Sequence, residues 1–297
     1  MIDLSKLTTE MRNMNTMNLD EMTSFEIAQI MNKEDEKVVK AVQEVLPEIA
    51  TTIKWASGSL RGGGRIIYIG AGTSGRIGLL DAVECSPTFG VPPNMVTGLI
   101  AGGDRAFIKA VEGAEDSETL CEEDLKRIFL SSKDIVIGLA ASGRTPYVIH
   151  GLQYANSVGC LTVAIACNKD SAIGKVAKLA IEPISGPEVL TGSTRLKAAT
   201  AQKLVLNMIS TGSMIEIGKV YENLMVDVQP SNLKLKERAQ NIVMEITGCN
   251  RDEGITAIDK ASGNVKTAII MILLNCTVKE AEEKLEQSRG KIRNALK

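Results

Sequence analysis

The chain has 297 residues, 44% of them hydrophobic, which is enough for one large domain or two ordinary ones with a buried core. Its 34 Lys and Arg residues against 36 Asp and Glu leave a net charge of −2, and 3% of its residues are aromatic. These values argue against extended disorder and against a nucleic acid or an anionic membrane as partner. A single histidine, His150, excludes a His-rich metal site and a two-histidine mechanism.

The cysteines and the apolar runs of the sequence indicate the cellular compartment in which the protein is expected. The six cysteines are scattered without a C-x-x-C pair, which is typical of reduced thiols. Residues 1–6 lack the pattern of a secretory leader, and the longest apolar run, residues 268–274, is far shorter than the ~20 residues of a membrane helix. We therefore expect a soluble, cytoplasmic protein.

The first predicted element is helical. Apolar side chains recur at helical spacing from residue 34 to residue 60, and a run of three glycines at 62–64 ends the pattern. Pro47 falls inside it. The pattern therefore predicts either a kink near Leu46 or two shorter helices.

Short apolar runs of strand type then alternate with helical segments. The five runs are residues 65–70, 95–101, 134–140, 160–166 and 179–184. Helical segments lie between them, for example at 107–111, 119–130 and 146–157. This alternation predicts βαβ units and an open, mainly parallel five-stranded sheet covered by helices. In such sheets ligands bind at the carboxyl ends of the strands.

The last third of the chain is predicted to be helical. A long helix from 195 to about 219, with Thr194 as its expected N-cap, is separated by a loop at 227–232 from a helical tail. In the tail, residues 262–264 break two helices, and Thr277 and Glu280 predict a capping box. We therefore divide the chain into an N-terminal helical segment, an α/β domain and a helical C-terminal subdomain, at residues 1–60, 61–220 and 231–297.

The first strand ends in a glycine-rich turn, residues 70–75, with the G-x-G-x-x-G spacing of a dinucleotide site. The second strand ends in Ala-Gly-Gly at 101–103 and lacks the acidic residue that would hold a ribose. Thr73 and Ser74 add hydroxyls that a pyrophosphate turn does not require. These features count against a dinucleotide.

Two later turns repeat the hydroxyl pattern, at residues 141–145 after the third strand and 191–195 after the fifth. Hydroxyls together with backbone N–H groups at helix starts can hold a phosphate dianion, and hydroxyls also bind sugar oxygens. Each turn alone is typical of an ordinary N-cap. Three such turns at the strand ends of one sheet favour a sugar-phosphate site.

Carboxylates are the candidates for proton transfer. His150 lies within a helix, as structural histidines do, and Cys85 has no histidine near it in sequence. Glu84 is predicted to end the first βα helix, just before Ser86 and Pro87. A second group lies where Gly113 interrupts a helix, and consists of Glu112, Glu115 and Asp116. The residues alone leave open which of these carboxylates acts.

The hydroxyl-rich turns resemble those of the sugar isomerase (SIS) domain, and several runs resemble the N-acetylmuramic acid 6-phosphate etherase family in particular. Those runs are residues 68–76, 81–88, 110–117, 186–195 and 225–230. The resemblance extends from residues 7–10 to the helical tail. Val83, Ser86 and Met14 depart from the residues that the family usually shows, without removing a group that the chemistry needs.

The resemblance implies an SIS-type fold and a carbon–oxygen lyase. The family cleaves the D-lactyl ether of N-acetylmuramic acid 6-phosphate to N-acetylglucosamine 6-phosphate and D-lactate, in cell-wall amino-sugar catabolism and recycling. By resemblance, Glu84 is the acid at the ether oxygen and Glu115 the base at C2. Two carboxylates with separated pKa values suffice for this chemistry, so we expect no metal and no redox cofactor.

We further expect the hydroxyl-rich turns to bind the phosphate and sugar of the substrate. The candidate residues are Ser74, Ser142 and Thr145, with Ser193 and Thr194 in addition. Because such sites are often completed across a two-fold axis in this fold, we expect a homodimer with the N-terminal helices as candidate interface elements.

Other functions stay open at this point. A non-catalytic SIS-type sensor of phosphosugars would need a partner module, for which the helical tail is the natural place, while the near-neutral charge counts against DNA. An aldose–ketose isomerase is a third reading, distinguished by the absence of lactate release. A dehydrogenase is the weakest.

Overall fold

A computed structural model describes residues 7–228 and 233–297. The expectations for residues 1–6, and for the part of the 227–232 loop at residues 229–232, lie outside the described residues. By their internal contacts the residues group into two compact units: Met1–Val83 with Asn94–Ser210, and Glu84–Pro93 with Thr211–Lys297. The division at residues 1–60, 61–220 and 231–297 stays a proposal.

The described residues begin with short 3-10 turns, followed by two α-helices. The turns are Thr8–Glu10, Met14–Thr16 and Leu19–Glu21, and the helices are α1 (Ser24–Gln43) and α2 (Leu46–Arg61). The second of the two alternatives for this segment is therefore confirmed: Pro47 lies in the first turn of α2, where its missing N–H costs no helical hydrogen bond. The start predicted at residue 34 is wrong, because Thr23 and Glu26 form a capping box that begins α1 ten residues earlier.

The five predicted strands are confirmed as one parallel sheet. They are β1 (Ile66–Gly70), β2 (Val96–Ile100), β3 (Ile135–Leu139), β4 (Leu161–Ile165) and β5 (Leu179–Ile181). Their order is β2-β1-β3-β4-β5. Gly70 pairs in register with Ile100 on one side and Leu139 on the other, so the turns after β1, β2 and β3 leave the sheet side by side.

Helices connect the strands. They are α3 (Gly72–Phe89), α4 (Arg105–Ile108), α5 (Leu120–Arg127), α6 (Pro146–Val158) and α7 (Ala172–Val176), with a 3-10 turn at Ala114–Asp116. The helix expected at 107–111 is shorter and ends at Ile108. Glu84 does not end α3, since the helix continues through Pro87 and closes with a hydrogen bond from Gly90 N to Ser86 O. A single proline near a helix end removes one hydrogen bond and leaves the last turn intact.

The core of the first unit packs one side of the sheet against α5 and α6. Ile67, Ile69 and Val136 of the strands are fully buried, together with Tyr147 and Leu152 of α6. Because both faces of these parallel strands are covered, their sequences are continuously apolar. The rigid sheet holds the strand ends, and therefore the turns, in fixed positions.

The second unit contains Glu84–Pro93 and the residues from Thr211 onward, among them the end of α8 (Lys197–Glu216). Its further elements are β6 (Val220–Tyr221), β7 (Leu224–Met225), α9 (Leu233–Thr247), α10 (Arg251–Lys260), α11 (Val265–Leu274), α12 (Val278–Gln287) and α13 (Ile292–Ala295). The break at 262–264 and the capping box of Thr277 and Glu280 are confirmed. The antiparallel pair β6–β7 was not predicted, because two-residue strands leave no periodic pattern. Within the described residues, no helix is long and apolar enough to span a membrane.

Candidate active site

A cavity of about 180 Å³ lies where β1 and β2 end. We call it the Glu115 cavity. Its walls come from the residues after β1, from α3, and from the segment that follows β2. The lining residues are Ala71, Gly72, Arg76, Ala101, Ala106, Ala110, Val111, Glu112, Gly113 and Glu115. All of them belong to the first compact unit, and their position agrees with the rule that ligands bind at the carboxyl ends of parallel strands.

Glu115 reaches this cavity through a tight backbone turn. Gly113 has φ +75° and starts the 3-10 turn that carries Glu115. Upstream, Gly102 has φ +90°, and a Cβ there would lie 2.8 Å from Cβ of Val111. The two glycines therefore allow the segment to fold back against the end of β2. Glu115 is exposed and makes no hydrogen bond or ion pair with any other described residue.

Arg76 is the only basic residue among those that line the cavity. It lies in the second turn of α3, where Nε donates to the carbonyl oxygen of Phe107 and Nη2 to that of Ala106, both at 2.8 Å. These bonds fix the guanidinium against the short α4. Although Arg76 belongs to a motif that carries the family resemblance, sequence reasoning gave it no role.

Ser74 lies in the first turn of α3 and is 8% exposed. Its hydroxyl donates to Oε1 of Gln202 at 2.8 Å. Gln202, on α8, is fully buried, and among the described residues its Nε2 has no hydrogen-bond partner. Gln202 therefore orients the Ser74 hydroxyl. Sequence reasoning missed this residue because it is a single polar side chain far along the chain from Ser74.

Ser142 lies in a tight turn after β3, closed by a hydrogen bond from Gly143 N to Ala140 O at 2.8 Å. Asn168 supports this turn from behind: its Nδ2 donates to the carbonyl oxygens of Ala141 and Ser142, both at 3.3 Å. The same side chain bonds Thr9, donating to its hydroxyl at 2.9 Å and accepting from its backbone N–H at 3.3 Å. The N-terminal segment is thus tied to the turn through Asn168, which was not predicted.

Thr145 is the N-cap residue of α6, but its side chain makes no capping hydrogen bond. Ser142 lies three residues before it in the turn and is not a cap. The ordinary N-cap interpretation of Ser142 is therefore wrong, because Thr145 occupies the N-cap position of α6. Both side chains are half-buried beside the start of a helix of 13 residues.

Ser193 and Thr194 are half-buried in the turn that precedes α8. The expectation that Thr194 caps this helix is wrong. The carboxylate of Glu188 accepts hydrogen bonds from the backbone N–H groups of Lys197 and Ala198, each at 2.9 Å, and does the capping. A carboxylate at a helix N-terminus is favoured by the unpaired N–H groups and by the helix dipole.

Glu188 is one member of a buried group of charges, which we call the Glu34 cluster. Lys197 Nζ lies 2.8 Å from Glu34 Oε2, and both side chains are almost fully buried. Glu34 also accepts hydrogen bonds from Asn13 at 2.9 Å, Asn15 at 3.0 Å and Lys37 at 2.6 Å. The cluster joins the N-terminal segment, α1 and the start of α8.

The pKa values in the Glu34 cluster reflect its partners. Burial alone would raise the pKa of Glu34, but hydrogen bonds from Lys197, Lys37, Asn15 and Asn13 outweigh it and lower this pKa to about 2. For Glu188, burial outweighs the two backbone N–H donors and raises the pKa.

Glu84 is exposed on the last part of α3 and belongs to the second compact unit. It is not among the residues that line the Glu115 cavity. The structure therefore brings together Glu115, Glu112 and Arg76, and leaves the partnership of Glu84 and Glu115 as a proposal. The other cavity carboxylate, Glu112, is exposed as well.

Burial raises the pKa values of two cysteine thiols of the first unit, Cys160 and Cys167. It raises the pKa of Cys160 to about 11 and that of Cys167 to about 12, so both are protonated at neutral pH. A protonated, buried thiol is a poor nucleophile. Over residues 7–228 and 233–297, no group of three or more His, Cys, Asp or Glu side chains is placed to hold a metal ion.

Family models match two overlapping stretches of the chain. The model of the glucokinase regulatory protein N-terminal SIS domain matches residues 37–156, and the model of the SIS domain matches residues 122–211. Together they span the five strands of the parallel sheet and the three hydroxyl-rich turns.

Curated relatives match nearly the whole chain. A protein named N-acetylmuramic acid 6-phosphate etherase from Geobacillus sp. (strain WCH70) is 59% identical over 293 residues, which cover 99% of each chain. A protein of the same name from Pectobacterium atrosepticum is 56% identical over 295 residues, covering 99% of this chain and 97% of the relative. Both alignments extend through both compact units.

A solved structure of a phosphoheptose isomerase from Francisella tularensis matches with a TM-score of 0.50 and 17% sequence identity. The match covers 64% of this chain and 100% of the isomerase. At this identity the likeness shows the SIS fold alone.

Proposed function

The chain belongs to the N-acetylmuramic acid 6-phosphate etherase family, and we propose that it is a carbon–oxygen lyase acting on the lactyl ether of N-acetylmuramic acid 6-phosphate. The products are then N-acetylglucosamine 6-phosphate and D-lactate. The observation that carries this proposal is identity of 56–59% along nearly the full chain. The Glu115 cavity supports it by offering an exposed carboxylate at the strand ends of an SIS-type sheet.

Elimination followed by addition of water accounts for the reaction. With the sugar ring open, the C2 proton is acidic because it is α to the C1 aldehyde. Glu115 takes this proton, the C3–oxygen bond breaks, and Glu84 gives a proton to the departing ether oxygen, so that lactate leaves and a C2=C3 double bond forms. Water then adds: its hydroxyl goes to C3, its proton returns to Glu84, and Glu115 returns a proton to C2. One water is consumed overall.

The phosphate of the substrate is proposed to bind at the hydroxyl-rich turns. The residues are Ser74, Ser142, Thr145, Ser193 and Thr194. The parallel register of β1 and β3 supports grouping the first three, because the turns that carry them leave neighbouring strands. Half-buried hydroxyls beside helix starts are well suited to a dianion.

We also propose that the protein works as a cytoplasmic homodimer. Two exposed apolar residues of α1 support an interface there: Phe25 is 75% exposed and Val39 is 64% exposed.

The function is tested by incubating the protein with N-acetylmuramic acid 6-phosphate and measuring D-lactate. We expect Glu84→Gln and Glu115→Gln each to lower lactate release by about 10²–10⁴-fold, the usual contribution of general acid–base catalysis. Asp116→Asn is the matched control, because Asp116 is exposed beside Glu115 and does not line the cavity.

Two results would contradict parts of this proposal. Tight binding of the phosphosugar without lactate release would identify a sensor and not an enzyme. Lactate release at the wild-type rate from either glutamine variant would remove that residue from the mechanism while leaving the activity in place.

A further inference from the structure

The Glu115 cavity contains a charged group that the mechanism above does not use, the guanidinium of Arg76. We propose that the cavity is the subsite for the lactyl arm of the substrate and that Arg76 binds the carboxylate of this arm. The inference rests on the proposed function and deepens it by naming the residue that selects the substrate.

The size of the cavity fits an arm of the substrate and not the whole molecule. Sites that enclose a whole small-molecule ligand have volumes of about 300–1,000 Å³. The Glu115 cavity has about 180 Å³. A protein cavity of about 150 Å³ accepts benzene, which is close in size to a lactyl group.

The lining of the cavity matches the two ends of that arm. Small apolar residues line the cavity and could contact the methyl group of the arm. They are Ala71, Ala101, Ala106, Ala110 and Val111. The carboxylate of the arm would enter a site that already holds Glu112 and Glu115. Like charges this close repel, so binding an additional carboxylate requires a cation. Arg76 is the only one among the lining residues.

Arg76 is positioned and still has donors to offer. The carbonyl oxygens of Ala106 and Phe107 use one N–H each, which leaves the remaining donors of the guanidinium for a ligand. Both carbonyls are neutral, and Arg76 forms no ion pair with any other described residue, so its charge is not compensated. A guanidinium held in place loses little side-chain entropy on binding a carboxylate, with which it forms strong charged hydrogen bonds.

Binding of the lactyl carboxylate by Arg76 would affect both the position of the substrate and its selection. Binding the arm at Arg76 would place the lactyl group in the cavity whose wall also carries Glu115, the proposed base. A 3-O-substituent without a carboxylate would leave the guanidinium unpaired and would therefore bind less well. Arg76 is thus assigned both substrate binding and discrimination between 3-O-substituents.

The test compares two substrates on two proteins. The substrates are N-acetylmuramic acid 6-phosphate and the analogue in which the lactyl carboxylate is a carboxamide. We expect Arg76→Gln to lower kcat/KM about 10- to 100-fold for the acid, as expected for loss of a charged hydrogen bond, but less than about threefold for the amide. Wild-type protein should prefer the acid by the same factor. The kcat/KM of Arg76→Lys for the acid should lie between those of wild type and Arg76→Gln, because lysine keeps the positive charge but lacks the paired N–H donors of the guanidinium.

A purely structural role of Arg76 gives a different pattern. If its only task is to hold α4, Arg76→Gln lowers kcat/KM equally for both substrates, and that result would overturn the proposal. Arg105→Gln is the matched control: Arg105 is exposed on α4 and does not line the cavity, so both substrates should react as with wild type. Equal turnover of acid and amide by wild type would also contradict the carboxylate contact.

A binding measurement separates this inference from the proposed function. Calorimetry with Glu115→Gln protein, with and without Arg76→Gln, gives the affinities for acid and amide without turnover. Suppose that wild type releases no lactate, but that Glu115→Gln protein binds the acid at least about 10-fold more tightly than the amide. If adding Arg76→Gln to this protein removes the difference in affinity, the proposed function is contradicted and the proposed subsite is supported. Equal affinities for acid and amide, or no binding of either, would overturn the subsite.

Discussion

The Glu34 cluster and the Glu115 cavity both contain two carboxylates, but in opposite environments. Glu34 and Glu188 are almost fully buried, and each accepts hydrogen bonds from several donors. Glu112 and Glu115 are exposed on the wall of a cavity. A carboxylate whose oxygens are all occupied holds backbone and side chains in place, whereas an exposed carboxylate can exchange a proton with a substrate.

This difference shows why burial alone does not identify the reactive group here. Glu34, whose pKa is strongly lowered, is almost fully buried, and four side chains donate hydrogen bonds to it. Perturbed pKa values occur in structural ion-pair networks as well as in active sites. In this protein the cluster fixes the chain around α8, and the exposed carboxylates of the cavity are the ones proposed to act in proton transfer.

Removing Lys197, the buried cation of the Glu34 cluster, has the largest expected effect and tests whether the cluster stabilises the fold. Lys197→Met removes the buried ammonium partner of Glu34 and leaves the half-exposed Lys37 as its other cation, and we expect a loss of about 3 kcal/mol in the free energy of unfolding, measured with urea. Lys126→Met is the matched control, because Lys126 and Glu122 form an exposed i,i+4 pair that should contribute about 0.5 kcal/mol or less.

A double variant separates charge from packing in the cluster. Lys197→Met combined with Glu34→Gln also removes the buried carboxylate charge that has lost Lys197, so part of the lost stability should return. If Lys197→Met is no less stable than Lys126→Met, the cluster is not the structural element that we describe.

The pH dependence of stability is the next expectation. Because the folded-state pKa of Glu34 is lowered from 4.5 to about 2, its contribution is present above pH 4.5 and is lost as the pH falls towards 2. We expect this contribution to be on the order of 1–3 kcal/mol. Urea unfolding of wild type and Glu34→Gln at several pH values measures it. The stability gap between the two proteins should narrow from pH 5 to pH 2, and a constant gap would contradict the assignment.

Replacing Asn168 has the smallest expected effect. This residue shares features with both regions. It is buried like the cluster, but it supports the Ser142 turn. We expect Asn168→Ala to weaken binding of N-acetylglucosamine 6-phosphate about 10-fold, as the turn loses its support. Asn156→Ala is the control, because Asn156 makes comparable hydrogen bonds to Thr162 and Val176, away from the predicted phosphate turns. An equal loss of affinity in both variants would mean that the effect is one of general stability.

Several features were visible in the sequence because they are local. The five strands are continuous apolar runs, and Thr277 with Glu280 forms the capping box that its spacing predicts. Thr23 and Glu26 show the same spacing at the start of α1, where the helix prediction began too late. The hydroxyl-rich turns could be found because each follows a strand directly.

The residues that were missed act over long distances in the chain. Glu34 has the sequence context of a surface residue on a polar helix and is buried because Lys197 lies against it. Gln202 meets Ser74 and Asn168 meets Thr9 across more than a hundred residues. No periodicity or motif records such pairs, since they depend on which elements pack together.

By itself, the sequence determined the five-stranded α/β fold, the hydroxyl-rich turns and the family, because each rests on patterns within short stretches of chain. Only the tertiary structure decided which carboxylates are occupied and which are open. It also brought Arg76 and Glu115 to one cavity. The physical reason is that burial and hydrogen bonding, which decide whether a charged side chain supports the fold or meets a ligand, are properties of packed neighbours and not of sequence neighbours.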